Sequence, residues 1–559
     1  MFCSPARRSF LTGRLPPHVG QTNTPDAHID YRMGTLAERL GAAGYATGHS
    51  GKWHAGFFAT RQTPHGRGFA TSLGFLYGVD HWTQRSFEKV CKYGQGGNST
   101  DLWDTDRPAR GRNGTYGDYT FVGHAVDTIL RHNASAGPLF YYLATEVAHM
   151  PNETPVRFRE AFPDPGAVPF LSVYAMSSIV DEALRNVTEA LKAKGMWENT
   201  LMVVAADNGG SLTQTMASNF PLRGGKYSWL EGGIRTTAWV TGGVLPPAMR
   251  GKNLSSAHPI AVCDWYSTFL ALAGVDDSGG GAAGAGGALP LPSVDGIDQW
   301  PALSGQSTAP LRDEVFVGSG VLIQANYKLI ATANAQDDAR WSGPLYPKVP
   351  ATGSRHNMSC SAQAPCLFDV VNDAREEHDL ARAEPEVVAR MVTRLAALME
   401  GVFEADPVTN ATQAKVCAAS VANGMWITPF DWPSLPPTPP PPPPPPPAPP
   451  TCRPPSPAPH PLPTPLSPPL PADGWLAYTE QWEVVGGSSN IRARKDCAVL
   501  KKECAHSALL PANETRFFDA GHVVALLDVV PPQPTAVCGG AGLPYAYFEV
   551  EVHLLPAEE

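Results

Sequence analysis

The chain has 559 residues, 43% of them hydrophobic, enough to bury a sizeable core spread over three or four units at ~150 residues each. Its net charge of −10 and pI near 5.9 exclude general nucleic-acid binding, because the overall field repels polyanions and any anionic ligand needs a local basic pocket. No apolar run has membrane-spanning length, and the first residues do not form a charged-then-apolar leader.

In chain order, Cys3-Ser4-Pro5-Ala6-Arg7 opens a helix, since Pro5 suits a first turn and the free N–H groups of a helix start favour an anion. Leu11-Thr12-Gly13-Arg14 follows. Apolar periodicity predicts helices over 32–43, 120–132 and 173–194, and apolar runs predict buried strands over 139–145 and 201–206, with a shorter one at 237–240. That alternation reads as layered α/β architecture. Between the first two helices lies Gly51-Lys52-Trp53-His54-Ala55-Gly56, where extended backbone points Lys52 and His54 the same way. His149 follows the first strand and Asp207-Asn208 the second, at carboxyl ends where ligands of open α/β sheets bind. Asp207 and Asn208 are adjacent oxygen donors of the type a hard divalent cation wants, although Asn-Gly is also turn chemistry. Lys226 ends Pro221-Leu222-Arg223-Gly224-Gly225-Lys226, ahead of Glu231-Gly232-Gly233-Ile234-Arg235.

A Gly/Ala tract at 278–288 reads as a flexible insertion. Short strands at 314–317, 321–324, 327–330 and 367–370, then a helix at 384–402, predict a smaller antiparallel sheet packed with a helix. Residues 433–471 are a proline tract, a polyproline II spacer, and 473–559 a small cysteine-containing module. Phe57, Trp82 and Trp103 are candidates to line a pocket, against core packing as the commoner fate.

Nine Asn-x-Ser/Thr acceptors, at Asn98, Asn113, Asn133, Asn152, Asn186, Asn253, Asn357, Asn410 and Asn513, point to the secretory route. Of ten cysteines, Cys360 with Cys366 and Cys497 with Cys504 are spaced for local disulfides, and none has zinc-site spacing.

The segments at Cys3–Arg14, Gly51–Gly56, Ala205–Gly210 and Pro221–Lys226 resemble the signatures of the type I sulfatases of the alkaline phosphatase superfamily, most closely the arylsulfatase B type. Gly44-Tyr45-Ala46-Thr47, Cys366-Leu367-Phe368-Asp369, Glu376-Glu377-His378-Asp379-Leu380 and Gly424-Met425-Trp426 extend the likeness over nearly all of residues 1–432. The resemblance implies a mixed, largely parallel sheet flanked by helices over 1–310 and an antiparallel-sheet subdomain over 311–432, ahead of the linker (433–472) and the module (473–559). It implies hydrolysis of sulfate monoesters on a sulfated small molecule or sugar, in a secreted or lysosomal protein. By the same likeness Cys3 is oxidised to Cα-formylglycine by the formylglycine-generating enzyme; Ala6 stands where serine is common, but conversion depends mainly on Pro5 and Arg7. Arg7 and Lys52 then hold the hydrate, His54 takes its second proton, Lys226 grips the sulfate and His149 stands beside the leaving group. Asp207, Asn208 and residue 3 are ligands of calcium.

The family also supplies two calcium ligands from an Asp-Asp pair on a strand ahead of the catalytic cysteine, where this chain has Met1 and Phe2. That departure implies a chain lacking its first strand and signal peptide. It leaves open an inactive sulfatase-like binding or matrix protein. A phosphatase or phosphodiesterase of the superfamily is a further alternative, disfavoured because such sites are richer in Asp and His.

Overall fold

The computed structural model describes residues 2–86, 99–162, 168–254, 258–276, 291–333, 359–403, 410–432, 523–530 and 549–555. The Gly/Ala tract, the proline tract, Cys91, Cys452, Cys497, Cys504, Cys538, Asn98, Asn357 and Asn513 lie outside them. Contacts divide the chain into two compact units, Met1–Pro439 and Pro440–Glu559.

The first unit opens with α1 (Cys3–Thr12), the single turn α2 (Pro16–Val19) and α3 (Leu36–Ala42), which leads into β1 (Ala46–Lys52) and β2 (Thr71–Phe75). The two-residue strands β3 (Trp103–Asp104) and β4 (Arg107–Pro108), α4 (Gly117–Arg131) and β5 (Leu139–Ala144) follow. Next come the turn α5 (Val156–Arg159), the long α6 (Val168–Ala193), β6 (Met202–Ala205), the turn α7 (Glu231–Ile234), β7 (Ala238–Thr241), α8 (Asp264–Leu272) and the turn α9 (Trp300–Leu303). Strands β8 (Glu314–Gly318), β9 (Val321–Gln324), β10 (Tyr327–Ile330) and β11 (Cys366–Asp369), then α10 (Pro385–Met399) and α11 (Asn410–Ala422), complete it. In the second unit β12 (Val523–Val530) pairs antiparallel with β13 (Glu549–Leu555).

Among the described residues the main sheet runs β4-β3-β2-β1-β5, with β1 parallel to both β2 and β5. Among the strands described, parallel pairing joins those three, while β6 pairs antiparallel with β7 in a separate ribbon. Register aligns the carboxyl ends: Lys52 sits opposite Phe75, and Gly51 opposite both Gly74 and Ala144. The approach is so close that a Cβ on Gly51, at φ 92°, would lie 1.9 Å from the Ala144 carbonyl oxygen. The main core packs Leu11 of α1, Met33, Ala37 of α3 and the aromatic side chains Trp53, Phe57 and Phe69, which takes α1 down onto the sheet. The antiparallel sheet β11-β10-β9-β8 buries Phe316, Leu322, Leu329 and Leu367 against Met391 and Leu395 of α10.

The predicted helix at 32–43 starts four residues late. Asp30 captures the Arg32 N–H at 2.9 Å, and a capping box takes over: Thr35 accepts from the Glu38 N–H while Glu38 accepts from the Thr35 N–H. Cys360 and Cys366 form the expected disulfide, Cys417 is also disulfide-bonded, and among the described residues Cys3 and Cys263 are free thiols.

Candidate active site

The two halves of the signature at the start of the chain have different physical tasks. Phe2 caps α1 in extended backbone without a side-chain hydrogen bond, so the first-turn N–H groups look elsewhere, and the Ser4 N–H donates to Asn23 Oδ1 at 2.9 Å. Cys3, 2% exposed, stands in that first turn. The second half terminates the helix: Gly13 adopts the left-handed conformation (φ 69°) and its N–H reaches the Ser9 carbonyl, closing a C-cap. Arg14 anchors that end by donating to the Pro292 and Thr12 carbonyls at 2.8 and 3.0 Å.

Arg7, one turn on from Cys3, ties three elements together. Its Nε and a terminal nitrogen both reach Asp207 Oδ2, at 3.0 and 2.9 Å, and its other terminal nitrogen donates to the Lys52 carbonyl at 2.8 Å and approaches the Tyr142 hydroxyl at 3.4 Å. The end of β1 is pinned by Trp53, fully buried, whose indole N–H is shared by the Gly56 and Gln62 carbonyls at 2.9 Å each. Lys52 and His54 therefore flank one core anchor and both face Cys3, but the route is not the extended backbone expected, since His54 has φ 53°. Both ring nitrogens of His54 are buried without a hydrogen-bond partner at normal geometry among the described residues, although the ring is close enough to the Cys3 sulfur to favour its thiolate.

Beyond β5, the His149 Nδ1–H donates to the Met150 carbonyl at 2.8 Å, which leaves Nε2 as the acceptor for Lys226 Nζ at 3.2 Å. Asn219 brings Lys226 there. It accepts from the Gly210 N–H and donates to the Gly210 and Gly224 carbonyls at 2.9 to 3.0 Å, while the Lys226 N–H donates to the Gly210 carbonyl at 3.1 Å. The loop carrying Asp207 and Asn208 is thus stitched to the loop carrying Lys226. Gly209 lets them meet, because a Cβ there would lie 1.7 Å from the Gly232 carbonyl oxygen.

The charges are balanced for an anion. Burial opposes ionisation of Cys3, but Lys52 and Lys226, with His149 and His54 beside the sulfur, outweigh it and hold the thiol well below its ordinary range. Burial pulls Lys52 down. Burial acts the same way on Lys226, but the negative charge at Cys3 and the nearby Tyr227 raise it overall. Burial, aided by Lys52, pushes His54 down to about 4 and lowers His149 too, so both imidazoles are neutral at pH 7.

Beside them stand two oxygen donors of the type a hard cation takes, fewer than the about six to eight oxygens of a full calcium site. Asn208 Oδ1 is buried with no hydrogen-bond partner among the described residues, next to the Asp207 carboxylate, and Asp207 and Cys3 share Arg7, Lys52 and Lys226 as charged neighbours.

These groups border a cavity of about 660 Å³ whose wall includes Arg7, Lys52, His149, Asp207, Asn208 and Lys226. Cys3 and His54 are buried beside it. Phe57 and Trp103, 1% and 2% exposed, are core residues, and Trp82 packs edge-on against Tyr116 off the cavity wall. The aromatic wall comes instead from Tyr142, Tyr174 and Phe220, with Met216. No pattern in the chain singles these out, and the only sequence signal for Asn219 is an Asn one residue ahead of Phe220-Pro221.

Residues 2–275 match the Sulfatase family model. Arylsulfatase J of Mus musculus is 28% identical over 430 residues, 70% of this chain and 67% of that protein; arylsulfatase A of Homo sapiens is 28% identical over 430 residues, 69% and 76% of the two. N-acetylgalactosamine-6-sulfatase of Sus scrofa is 26% identical over 479 residues, covering 76% and 81%. These relatives do not single out the arylsulfatase B branch. In fold, the chain superposes on Ps i-CgsB in complex with k-i-k-neocarrahexaose with a TM-score of 0.56 at 24% identity, over 75% of this chain and 87% of that one. It superposes on PsFucS1 sulfatase from Pseudoalteromonas sp. with a TM-score of 0.53 at 21%, over 73% and 82%. Sequence and fold agree on one assignment, and the chain belongs to the sulfatase family.

Proposed function

We propose that this chain hydrolyses sulfate monoesters of sulfated sugars or aryl alcohols, with residue 3 as the attacking group. The observation that carries the reading is the ring around Cys3: a buried position in the first turn of a helix, with Lys52, Lys226, His54 and His149 acting on its sulfur and Arg7 one turn away.

Each residue's part follows from its environment. Lys52 and Lys226, both buried at the cavity wall, offset the sulfate charge where the attraction is stronger than in bulk. Lys226, kept protonated, is the proton source for the leaving oxygen, directly or through His149 Nε2, which accepts from it. His54, neutral and with its ring beside the Cys3 sulfur, is ready to take a proton from the group at position 3. Arg7 holds Asp207 and the end of β1 in one geometry. Oxidation of Cys3 to formylglycine and addition of water to its aldehyde would supply paired hydroxyls on one carbon, one to attack sulfur with release of the alcohol and one whose deprotonation would expel sulfate and restore the aldehyde. Calcium, held by Asp207, Asn208 and residue 3, would polarise the attacking oxygen and a sulfate oxygen.

The apolar wall of Tyr174, Met216 and Phe220 suits a sugar or aryl face, and the neocarrahexaose-bound neighbour supports the sugar. Among the described residues no helix is long and apolar enough to cross a membrane. The acceptors Asn113, Asn133 and Asn253 are exposed, which supports secretory or lysosomal passage and meeting the formylglycine-generating enzyme there.

The test is production of the chain in a secretory host with that enzyme, mass spectrometry of the Cys3 peptide, and turnover of matched sulfate and phosphate esters. An aldehyde at residue 3, with sulfate turnover lost in Cys3→Ala, is expected. An unmodified thiol with no turnover, or preference for phosphate, overturns the reading.

A further inference from the structure

Behind His149, and outside the machinery above, lies a second buried cluster. His81 follows β2, Asp118 sits in the first turn of α4 and Glu146 follows β5. Their side chains are 0%, 0% and 2% exposed. One donor atom from each lies within 4.8 Å of the others, and His81 Nδ1 is 3.5 Å from Glu146 Oε2 and 3.9 Å from Asp118 Oδ2. Four atoms of this cluster, His81 Nδ1, Asp118 Oδ2 and both Glu146 carboxylate oxygens, are buried with no hydrogen-bond partner among the described residues. Leaving such groups unpaired costs about 1–3 kcal/mol each, more for charged ones.

We propose that His81, Asp118 and Glu146 bind a divalent transition-metal ion, zinc foremost, at a site separate from Asp207-Asn208. A proton alone does not close the cluster, since 3.5 and 3.9 Å exceed hydrogen-bonding distance. A tetrahedral ion with ligands at about 2.0–2.2 Å holds its donor atoms about 3.4 Å apart, close to the spacing found. One imidazole nitrogen with two carboxylates is a borderline donor set, which suits zinc rather than calcium with its six to eight oxygens.

The donors are also pre-aimed. The His81 Nε2–H donates to the His149 carbonyl at 3.0 Å, which leaves Nδ1 as the ligating nitrogen, and the ring stacks on Tyr116 at 5.3 Å and 8°. Asp118 Oδ1 accepts from the Glu146 N–H at 2.9 Å, turning Oδ2 inward. Glu146 also stands on the cavity wall, which gives an ion its entry path. Burial pushes Asp118 up to about 7 and Glu146 well above its ordinary range and His81 down to about 4, so metal entry releases protons from the carboxyls. Through the His149 carbonyl the ion would stiffen the segment that presents His149 to the cavity, making His81 a positioning residue.

The full-length protein, loaded with zinc and dialysed against metal-free buffer, is expected to retain about one zinc per chain by mass spectrometry, with nitrogen and oxygen ligands including one imidazole at the zinc K-edge. Asp207→Asn should retain it, and Glu146→Gln should lose at least ~10-fold in affinity. Retention below roughly a tenth of an equivalent by the wild-type chain, unchanged retention by folded Glu146→Gln, or sulfur scattering at the edge overturns the proposal. Should Glu146→Gln fail to fold, the wild-type stoichiometry and edge spectrum decide alone.

Discussion

Arg7 is where one side chain holds most of the site in place. Its guanidinium makes paired bonds to Asp207 and a third to the Lys52 carbonyl, a fork that the single ammonium of lysine does not reproduce. Arg7→Lys should therefore keep the charge but let Asp207 and Lys52 drift. We expect kcat/KM to fall ~10²-fold with little change in far-UV circular dichroism, the size associated with misplacing a catalytic group by about 1 Å. With His54 as the proposed base, its environment predicts the pH dependence. Its pKa of about 4 lies below the ordinary 6.5, so it remains a base down to that value, and the acid limb of kcat/KM should fall near pH 4 and vanish in His54→Ala. The same depression makes neutral His54 stabilising above pH 6.5, a contribution lost as pH falls from 6.5 towards 4, so the drop in melting temperature over that window should be smaller in His54→Ala than in wild type, with the remainder carried by other buried histidines such as His81 and His149. Lys226→Ala should cost ~10² to 10⁴-fold in kcat, more for poor leaving groups than good ones, because the proton supplied to the leaving oxygen matters most there.

At the scale of elements, β1 and the antiparallel sheet each brace the site from behind. Gly51→Ala would drive a methyl into the Ala144 carbonyl oxygen at 1.9 Å, at a positive φ, so it should part β1 from β5 and yield insoluble or inactive protein. Lys328 of β10 is fully buried between Glu231, at 2.9 Å, and Glu376, at 2.7 Å. Glu376 in turn accepts from the Glu231 N–H at 2.7 Å, and its carbonyl accepts from Arg223 at 3.1 Å, so this cluster locks α7 and the Lys226 loop onto the antiparallel sheet. Lys328→Met strands two buried carboxylates. It should cost about 3–5 kcal/mol in urea unfolding at pH 7. These elements were largely legible from pattern: the runs at 139–145, 201–206, 314–317, 321–324 and 327–330 lie within a residue or so of β5, β6, β8, β9 and β10. The burial expected of the first two was not met: β5 is half-buried except at Ala144, and β6 is half-buried with Ala205 exposed, because an apolar run reports strand propensity while coverage depends on what packs against the strand. The start of α3 was misread because capping chemistry at Thr35 and Glu38, not periodicity, decides where a helix begins.

For the molecule as a whole, the division after Pro439 has a direct consequence. Every site residue discussed lies in the first unit, so a chain ending at Pro439 should keep the melting temperature and the kcat/KM of the full chain within a factor of about two. A large loss on that truncation would mean that 440–559 contributes to the catalytic unit.

Local order in the sequence was enough to mark candidates: Cys3 with Pro5 and Arg7, Lys52 with His54, and Asp207 with Asn208 each stand within a few residues of one another, and the resemblance to the sulfatase signatures is what suggested their roles. Only the tertiary structure decided how they serve one another. Arg7 meets Asp207 across 200 residues, Lys226 meets His149 across 77, and His81 faces Asp118 and Glu146 only because β2, α4 and β5 bring their ends together. Aromatic fates followed the same division. Trp103 was a pocket candidate in the sequence and Tyr174 was not, yet packing against neighbours remote in the chain put Trp103 in the core and Tyr174 on the cavity wall. Backbone preferences act over a handful of residues, whereas pairing of charges and burial of rings depend on groups that the chain alone does not place side by side.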